Sequence, residues 1–555
     1  MNKKNQENIN IFALGGQDEN GKNCYVFEYG NDIFIINAGV KIPINSQNGV
    51  DTLIPDFSYL EKNKNRIKAI FISDVKNESF SALPWLVMKI PGIKIYTSLF
   101  NKILIYERLN KYNISEHNYK IITFSKPLKH HHLIIEPLEL AGSMPGNLGF
   151  NFNTGSGNYL FMFNYTIGNL GIYGKTDLQF LKNYFQNRKI TALITDAGKS
   201  NIAGYSIDKF NQSKQLIEAF KTTDSNHRII VGAYDEEMPA LKQVLDLAIL
   251  HNRPVVAYGK TYAQLLRFII KDNPNLSLPE IIDYRNLAKH DNAVILVTGS
   301  IDRLYLRFLR ITDHKDVYLK LHQTDTIVML APPVNGLESL AALTLDEIAK
   351  IAPKLYDVLD NEYFRPRPTR LDLLKLILEL KPEYFIPTQG LYRYLVDSSN
   401  FILGNKEAKK TTLPIILLNG KVAHFMDNKL FSLNGKIKEV GDTIIDGFGV
   451  GDISSEVINE REALGREGVV IINGLYCPKT KRILGQLHIN YVGVIDLTEQ
   501  DKIDQLIKSV IAEIFETKEF TSMRELNEKI RKSIRKKIFK LTDKDPMVAL
   551  TLTTI

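Results

Sequence analysis

The alternation of helix-like and strand-like segments between residues 212 and 300 constrains the fold more than any other feature of the chain. The segments are, in order, a helix (212–224), a strand (228–234), a helix to about 250, a strand (253–259), a helix (261–270) and a strand (293–300). This order predicts βαβ units and a mostly parallel sheet. Strand ends at Gly232, Gly259 and Gly299 are expected to place loops on one sheet edge, where open α/β sheets usually bind ligands.

Shorter apolar runs on either side of this block predict two further regions. The N-terminal runs INIFALGG, CYVFEYG, DIFIINAGV, KAIFISD, YLFMFNY, GIYGK and ITALITDAG have the pattern of strands, and SALPWLVMKI begins a helix. They indicate a layered α/β domain. Near the C-terminus, the strand-like REGVVIINGLY, LHINYVGVIDL and MVALTLTTI accompany helix-like segments at 499–516 and 521–541, which predicts a small α+β domain.

Length and composition exclude several classes of protein. The 555 residues are enough for roughly three or four domains, and 44% hydrophobic with 24% charged residues is an ordinary globular composition. No apolar run approaches the roughly 18–20 residues of a membrane span, and the first residues do not have the pattern of a secretory signal. Cys24 and Cys477 are far apart and predict neither a disulfide framework nor a thiolate zinc site. We therefore expect a cytoplasmic protein without a membrane partner.

Positive charge is concentrated near the C-terminus. The net charge is +8, and seven Lys or Arg residues without any acid lie between Lys529 and Lys540. Apolar residues recur there with a spacing of four, which predicts a basic amphipathic helix. Either this helix packs on a domain and leaves a solvated charged face, or it contacts RNA or an acidic partner.

Longer stretches of the sequence resemble the ribonuclease J family of the metallo-β-lactamase superfamily. The resemblance is carried by LGGQDENGKNCYVFEYGNDIFIINAG, by GVDTLIPDFSYLEKNKNRIKAIFIS, by ALPWL, by IIDGFGVGDISSEVINEREALGREGVVII and by KLTDKDPMVALTL, and it spans essentially the whole chain. It implies an α/β fold: a metallo-β-lactamase αββα sandwich with an inserted β-CASP domain and a small α+β C-terminal domain. The implied boundaries are 1–210 and 366–440 for the sandwich, 211–365 for β-CASP, 441–455 for a linker and 456–555 for a C-terminal oligomerisation domain.

The residues that bind two zinc ions in that family are replaced here. A Thr-His-Gly-His-Glu-Asp-His loop of the family corresponds to SDVKNES, and its ligand positions are taken by Asp74, Lys76, Glu78 and Ser79. Other ligand positions correspond to Asn37, Gly142, Gln389 and Tyr165, or to Asn164 with a one-residue slip. There is no histidine from Gln323 through Ala423. The resemblance therefore predicts no catalytic residue, no metal site and no cofactor in this chain.

Lys76 places an ammonium group where the family has a dication. We hypothesise that it neutralises Asp74 and Glu78, because buried carboxylates need a counter-ion. Alternatively the loop is exposed and its charges contribute little, or the two carboxylates hold one Mg²⁺ or Mn²⁺ weakly. The run His130-His131-His132 is not expected to share one ion, because consecutive strand residues point to opposite faces. It favours an exposed loop or strand edge.

The RNA path of the family is partly retained. By resemblance, the candidate RNA-binding residues are Tyr234, Lys260, Thr298, Gly299, Ser300, Arg303, Arg310, Arg365 and Arg367. Arginine suits phosphate through its planar fork, and together these side chains would form a basic groove that holds RNA without cutting it. Glu236 and Glu237 oppose phosphate contacts within the same path.

Three functions remain open at this stage. The first is a catalytically impaired or inactive RNA-binding and regulatory subunit in RNA processing and decay, forming homo-oligomers or hetero-oligomers with an active ribonuclease J paralogue. The second is a stand-alone RNA- or ribosome-binding protein. The third is a ribonuclease with residual or rebuilt metal-dependent activity that uses Glu78 and Asp196.

Overall fold

The computed structural model of the protein describes residues 8–43, 50, 52–210, 213–446, 449–450, 455–480, 482–494, 500–517 and 522–555. The chain divides into two compact units, one comprising Met1–Asn45 with Thr52–Thr443 and the other comprising Ser46–Asp51 with Ile444–Ile555. Parts of the sequence-predicted linker, 447–448 and 451–454, lie outside the described residues, as do the first seven residues.

The strands up to residue 436 are β1 (Asn8–Gly15), β2 (Cys24–Tyr29), β3 (Asp32–Ile36), β4 (Thr52–Pro55), β5 (Ile67–Phe71), β6 (Ile93–Thr97), β7 (Tyr119–Thr123), β8 (Leu128–His130), β9 (Leu133–Glu139), β10 (Leu148–Asn153), β11 (Asn158–Met162), β12 (Gly168–Asn169), β13 (Lys175–Thr176), β14 (Ile190–Asp196), β15 (Ile229–Tyr234), β16 (Val255–Tyr258), β17 (Ile281–Ile282), β18 (Val294–Gly299), β19 (Thr326–Leu330), β20 (Lys354–Asp357), β21 (Tyr384–Thr388), β22 (Leu413–Pro414), β23 (Lys421–Met426) and β24 (Lys429–Lys436).

The helices of the same part are α1 (Ser58–Lys62), α2 (Asn77–Phe80), α3 (Leu83–Lys89), α4 (Leu99–Lys111), α5 (Leu178–Phe185), α6 (Lys214–Thr222), α7 (Met238–Leu250), α8 (Lys260–Asp272), α9 (Ile301–Thr312), α10 (Glu338–Ala349), α11 (Arg370–Leu380), α12 (Tyr392–Gly404) and α13 (Ala408–Thr411). The remaining elements are β25 (Asp442–Asp446), β26 (Gly449–Val450), α14 (Ser455–Glu467), β27 (Val469–Cys477), β28 (Arg482–Val492), α15 (Gln500–Thr517), α16 (Met523–Thr542) and β29 (Met547–Thr554).

Two sheets form the sandwich that the sequence predicts. One has the order β24-β23-β1-β2-β3-β5-β6-β7, and the other has the order β22-β21-β14-β11-β10-β9-β8. Aromatic side chains from both sheets fill the space between them, among them Phe27, Phe71, Phe152 and Phe161. Residues of α5, α11 and α12 cover the outer face of the second sheet. Fold class and layer order are thereby confirmed.

A third sheet is inserted between β14 and β21. Its order is β17-β16-β18-β15-β19-β20, and every pair of neighbours is parallel, as the strand–helix alternation predicts. The chain leaves the sandwich at Asp196 and returns beside it, since Asp196 is paired with Thr388 in the parallel β14–β21 register. The loops that follow β5, β11, β14 and β21 provide the residues of the candidate site described below.

Two local predictions are wrong. GIYGK is not a strand: residues Gly171–Tyr173 form a 3₁₀ turn, and only Lys175–Thr176 is extended, because Gly171 and Gly174 have φ angles of 63° and 93°. Gly232 does not end its strand but lies inside β15. A Cβ atom there would lie 2.6 Å from the Phe308 ring, so close helix packing, not a turn, requires this glycine.

The C-terminal unit contains a three-stranded sheet packed against α15 and α16, and the helix α14 precedes this sheet in the chain. An α+β domain is what the sequence predicts. The order of the sheet is β28-β27-β29, with β28 antiparallel and β29 parallel to β27. Leu526, Ile530, Ile534 and Ile538 of α16 are fully buried, so the basic segment is an amphipathic helix packed on its domain. Within the described residues, no helix has the length and apolar character required to cross a membrane.

Candidate functional site

The loop from Ser73 to Ser79 follows β5. Most of its residues are buried, and several of its polar groups hydrogen-bond to one another. The Asp74 carboxylate accepts hydrogen bonds from Ser73 Oγ (2.7 Å), Ser79 Oγ (3.0 Å), the Lys76 backbone N–H (2.9 Å) and Asn164 Nδ2 (3.2 Å). Burial raises the pKa of Asp74 despite these donors. Its oxygens are therefore occupied by protein donors and are not free as ligands.

Lys76 is buried and paired with a carboxylate of the inserted domain. Its Nζ lies 3.0 Å from Glu237 Oε1, and Glu237 Oε2 accepts a hydrogen bond of 3.1 Å from Ser143 Oγ. Burial lowers the pKa of Lys76, but the negative charges of Glu237, Glu78 and Glu236 outweigh it and raise that pKa above its usual value. The ammonium group therefore stays charged.

The sequence-based hypothesis about Lys76 needs one correction. Lys76 is buried, so the alternative of an exposed loop is wrong. Its direct partner is Glu237, a residue that sequence reasoning treated only as an obstacle to phosphate. The paired appearance of a lysine in the loop and acids at 236 and 237 is the signal that was missed. Glu236 also faces the loop, accepting a hydrogen bond of 3.1 Å from the Asn77 N–H.

Asn164, not Tyr165, reaches the loop. Asn164 has a φ of 49° and directs its Nδ2 to Asp74 and, at 3.2 Å, to Ser79 Oγ. Tyr165 points into the apolar layer beneath, where its hydroxyl lies 3.0 Å from Thr195 Oγ1. The sequence left two alignments open. The one with the one-residue slip assigns the family's position to Asn164, and Asn164 is the residue whose side chain contacts the loop.

Gly142 lies where an added side chain would not fit. A Cβ atom on Gly142 would lie 2.4 Å from Asn147 Nδ2, and that amide donates to the Asn164 carbonyl at 2.9 Å. Asn37 is also committed locally, because its Oδ1 accepts from the Ser73 N–H at 2.9 Å. A histidine at 142 would require Asn147 to move and to give up this bond.

Arg367 lies beside Asp196, the last residue of β14. Its Nε and Nη2 lie 2.7 Å from the two carboxylate oxygens of Asp196, and Nη2 also donates to the Gln389 carbonyl at 2.6 Å. Gln389 itself is buried with a φ of 60°. Glu78 lies nearby, and although burial raises its pKa, Lys76 and Arg367 lower it below the usual value. Asp196 is thus paired directly with Arg367, whereas Glu78 feels Lys76 and Arg367 only through their charge, and its Oε1 is buried without a hydrogen-bond partner.

Two zinc ions, which the resemblance implies, do not fit these residues. Zinc sites are built from imidazole, thiolate and carboxylate groups. At this place the described residues offer carboxylates as the only ionic ligands, and two cations lie among them, the Lys76 ammonium on Glu237 and the Arg367 guanidinium on Asp196. Among the described residues, the one group with metal-ligand geometry lies elsewhere, at Asp32, His130 and His131.

A cationic cleft opens beside Arg367. Its charged lining consists of Lys199, Lys209, Arg365, Arg367 and Asp360. Lys199 Nζ lies 2.8 Å from Asp360 Oδ2, yet burial, followed by the charge of Arg365, lowers the pKa of Lys199 to about 8. Arg367 is paired with Asp196 and Lys199 with Asp360, so the four cations face two carboxylates. The remaining positive charge favours an anion.

The sequence-predicted RNA contacts fall into an exposed and a buried set. Lys260 and Arg303 are exposed in the first turns of α8 and α9, which follow the carboxyl ends of β16 and β18, with Gly299 and Ser300 half-buried beside Arg303. Arg310 is exposed in the last turn of α9. The buried set begins with Tyr234, whose hydroxyl donates to the Pro332 carbonyl and whose ring lies 5.3 Å from the Arg365 guanidinium.

The other buried candidates are Thr298 and Arg367. RNA contact by any of these residues stays a prediction. Arg307, which follows the same turn, donates to the carbonyls of Tyr258 and Thr298 and holds two strand ends together.

Comparisons with known proteins give one family. Residues 226–348 match the model of the "Ribonuclease J, beta-CASP domain" and residues 456–555 match the "Ribonuclease J C-terminal domain". An uncharacterised protein of Mycoplasma genitalium is 30% identical over 574 residues, covering 99% of this chain and 100% of that protein. Ribonuclease J2 of Bacillus subtilis is 25% identical over 565 residues, covering 99% of each.

A solved structure supports the fold alone. The crystal structure of a protein of unknown function from Enterococcus faecalis superposes with a TM-score of 0.53 at 12% identity, covering 75% of this chain and 100% of that one.

Proposed function

This chain belongs to the ribonuclease J family, and we propose that it is a catalytically inactive member that binds RNA and regulates RNA processing and decay together with an active ribonuclease J. The observation that carries the proposal is the Lys76–Glu237 ion pair, at 3.0 Å, in the loop that corresponds to the family's zinc ligands. A charged ammonium repels a dication, and its buried partner makes it costly to remove.

The chemistry of the surrounding side chains supports the absence of zinc. Asp74 is saturated by hydrogen bonds, Asp196 is held by Arg367, and Gly142 has no room for a side chain. Hydrolysis by this superfamily depends on metal ions that activate water and stabilise the leaving oxygen. A cluster that holds the Lys76 ammonium and the Arg367 guanidinium in place of metal ions supplies neither effect.

The cationic cleft supports RNA binding without cleavage. Lys199, Lys209 and Arg365 line it with Arg367, and the exposed cations Lys260, Arg303 and Arg310 lie in the inserted domain. Contacts between Lys or Arg and phosphates supply most of the sequence-independent affinity for nucleic acids. We propose that an RNA backbone follows these cations, and that the protein acts in the cytoplasm.

The match over the whole length supports a role in an assembly. Residues 456–555 match the family model of the C-terminal domain, although the zinc ligands are replaced. A chain in which the zinc ligands are replaced while the C-terminal domain is kept is expected to act through binding. We propose a hetero-oligomer with an active ribonuclease J, with a homo-oligomer as the alternative assembly.

The first experiment measures metal and cleavage on the purified chain. We expect less than a tenth of an equivalent of zinc at the 73–79 loop and no decay of 5′- or 3′-end-labelled RNA with added Zn²⁺, Mg²⁺ or Mn²⁺. Glu78→Ala is the matched variant. Cleavage that Glu78→Ala abolishes, or two equivalents of zinc, would overturn the proposal in favour of rebuilt nuclease chemistry.

The second experiment identifies the partner. Native affinity purification of the full chain, before and after ribonuclease treatment, should recover a ribonuclease J that has the family's histidines in both samples. Recovery of RNA or ribosomes without such a ribonuclease would contradict the regulatory-subunit role and favour a stand-alone RNA-binding protein.

A further inference from the structure

The hairpin between β8 and β9 brings two neighbouring histidines together. His130 ends β8 and His131 begins the turn, and residues at consecutive strand positions ordinarily point to opposite faces. His131, however, has a φ of 53°, in the left-handed region, which breaks that alternation. The two imidazole rings lie with their centroids 4.6 Å apart.

A carboxylate from the other sheet completes the group. His130 Nε2 lies 2.7 Å from Asp32 Oδ2, and one ligand atom from each of Asp32, His130 and His131 lies within 4.8 Å of the other two. β8 is the edge strand of one sheet, whereas Asp32 begins β3 inside the other. The three side chains therefore bridge the two layers of the sandwich, away from the Lys76 cluster.

We propose that Asp32, His130 and His131 bind one divalent transition-metal ion, with zinc as the preferred ion. Two imidazoles and one carboxylate are donors suited to zinc, and three protein ligands leave a fourth position for water. Zn–N bonds of about 2.0–2.1 Å place tetrahedral donor atoms roughly 3.4 Å apart. Because His131 is exposed, it can turn by the ångström or so that closes the gap.

Binding exchanges a proton for the ion. His130 Nε2 and Asp32 Oδ2 face each other across a hydrogen bond, and the ion takes the place of the proton between them, which passes to solvent. The ring of His130 is held edge-on against Phe34, with centroids 5.3 Å apart. This packing fixes the imidazole before the ion arrives.

Lys68 modulates the affinity. Its Nζ lies 3.2 Å from Asp32 Oδ1, the oxygen that does not contact His130. The ammonium orients the carboxylate and also repels the ion. Replacement by glutamine, which keeps a donor and removes the charge, is expected to tighten binding severalfold. The inference is independent of the proposed function. Asp32 begins β3, whereas the 73–79 loop follows the end of the parallel strand β5, so the two groups lie at opposite ends of the sandwich.

The experiment is a zinc titration of the full chain, purified without a histidine tag and freed of metal with a chelator. A competing chromophoric chelator should report one equivalent of tightly bound zinc. His130→Ala and His131→Ala should each weaken binding by at least about tenfold. Zinc should also raise the midpoint of thermal unfolding of the wild-type chain by a few degrees, and not that of His130→Ala.

His132→Ala is the matched control, because it lies in the same turn and is outside the group. It should bind zinc like the wild type, as should Glu78→Gln in the degenerate loop. Equal binding by His130→Ala and the wild type, or no binding at micromolar zinc, would overturn the proposal. Loss on Glu78→Gln with retention in His130→Ala would assign the zinc to the 73–79 loop, which overturns both this site and the zinc-free function.

Discussion

At position 76, one ammonium group balances carboxylates that come from two parts of the fold. Lys76→Met keeps the length of the side chain and leaves Glu237 buried without its cation. Removal of one partner of a buried ion pair costs about 3–5 kcal/mol. We therefore expect the free energy of unfolding to fall by about 3 kcal/mol in urea denaturation of the full chain.

The double variant Lys76→Met/Glu237→Leu distinguishes the cost of an unpaired buried charge from the cost of altered packing. It should recover most of the loss, because neither charge is then left alone in the interior. Lys260→Met, at an exposed position, is the control and should change stability by less than about 0.5 kcal/mol. A Lys76→Met protein with an unchanged urea midpoint would contradict the structural role of the ammonium.

Glu236 makes the stability of the folded protein depend on pH. Burial, followed by the charge of Asp235, raises the pKa of Glu236 to about 8. The folded state then binds more protons than the unfolded state between about pH 4.5 and 8, so this group lowers stability as the pH rises through that window. Glu236→Gln, which keeps the acceptor for Asn77, should stabilise the protein by a few kcal/mol at pH 8 and by little at pH 4.5, in urea titrations. An equal effect at both pH values would argue against a raised pKa.

Lys199 should make RNA binding depend on pH. Its pKa of about 8 in the free protein means that the cleft is only partly charged near pH 8, and a phosphate would draw the proton back. Affinity should therefore rise as the pH falls from 9 to 7, by up to about tenfold. Fluorescence anisotropy with a labelled single-stranded RNA measures this. Lys199→Gln should bind more weakly with a flat profile, whereas Lys260→Gln should retain the slope; a wild-type profile that is flat would exclude Lys199 from the RNA path.

At the scale of elements, the spacing of apolar residues predicted most strands and helices correctly, because that spacing decides which face of each element is buried. The strand β15 and the helix α7 follow from apolar periodicity alone, and the structure has them at Ile229–Tyr234 and Met238–Leu250. The failures come from tertiary packing. Nothing local distinguishes Gly232 inside a strand from a glycine that ends one, since the cause is Phe308, 76 positions further along the chain.

The same reasoning explains what could be inferred about the candidate site. The loss of zinc ligands is visible in the sequence, residue by residue. The replacement network is not, because Lys76 finds Glu237 across 161 positions and Asp196 finds Arg367 across 171. The first pair depends on how the inserted domain packs on the sandwich, and the second on how the returning chain packs beside β14. Periodicity encodes neither.

The helix α16 provides an element-scale test. Ile534 is fully buried against the C-terminal sheet, and truncation of a buried isoleucine to alanine costs about 2–5 kcal/mol. In hydrogen exchange followed by mass spectrometry, Ile534→Ala should speed exchange in peptides of α15, α16 and β27, and leave β14 unchanged. Lys536→Ala, on the exposed face, should exchange like the wild type; protection retained in Ile534→Ala would contradict the packing of this helix.

At the scale of the whole molecule, two basic surfaces compete as the RNA-binding face. One is formed by Lys260, Arg303 and Arg310 of the inserted domain, and the other by Lys532, Lys536 and Lys540 of α16. The two sets carry equal charge, so replacing all three residues of either set by glutamine changes the net charge equally. Affinity for single-stranded RNA falls with salt with a logarithmic slope of about −0.7 for each phosphate contact.

We expect the triple glutamine variant of the inserted domain to reduce the magnitude of this slope by about 2, which is three contacts at about 0.7 each, and to weaken RNA binding at low salt. The triple variant of α16 should change both quantities by much less, because its cations form a solvated face on a helix packed against its own domain. Filter binding from 50 to 300 mM KCl measures both. A reduced slope only in the α16 variant would move RNA binding to the C-terminal unit and remove the inserted domain from the proposed path.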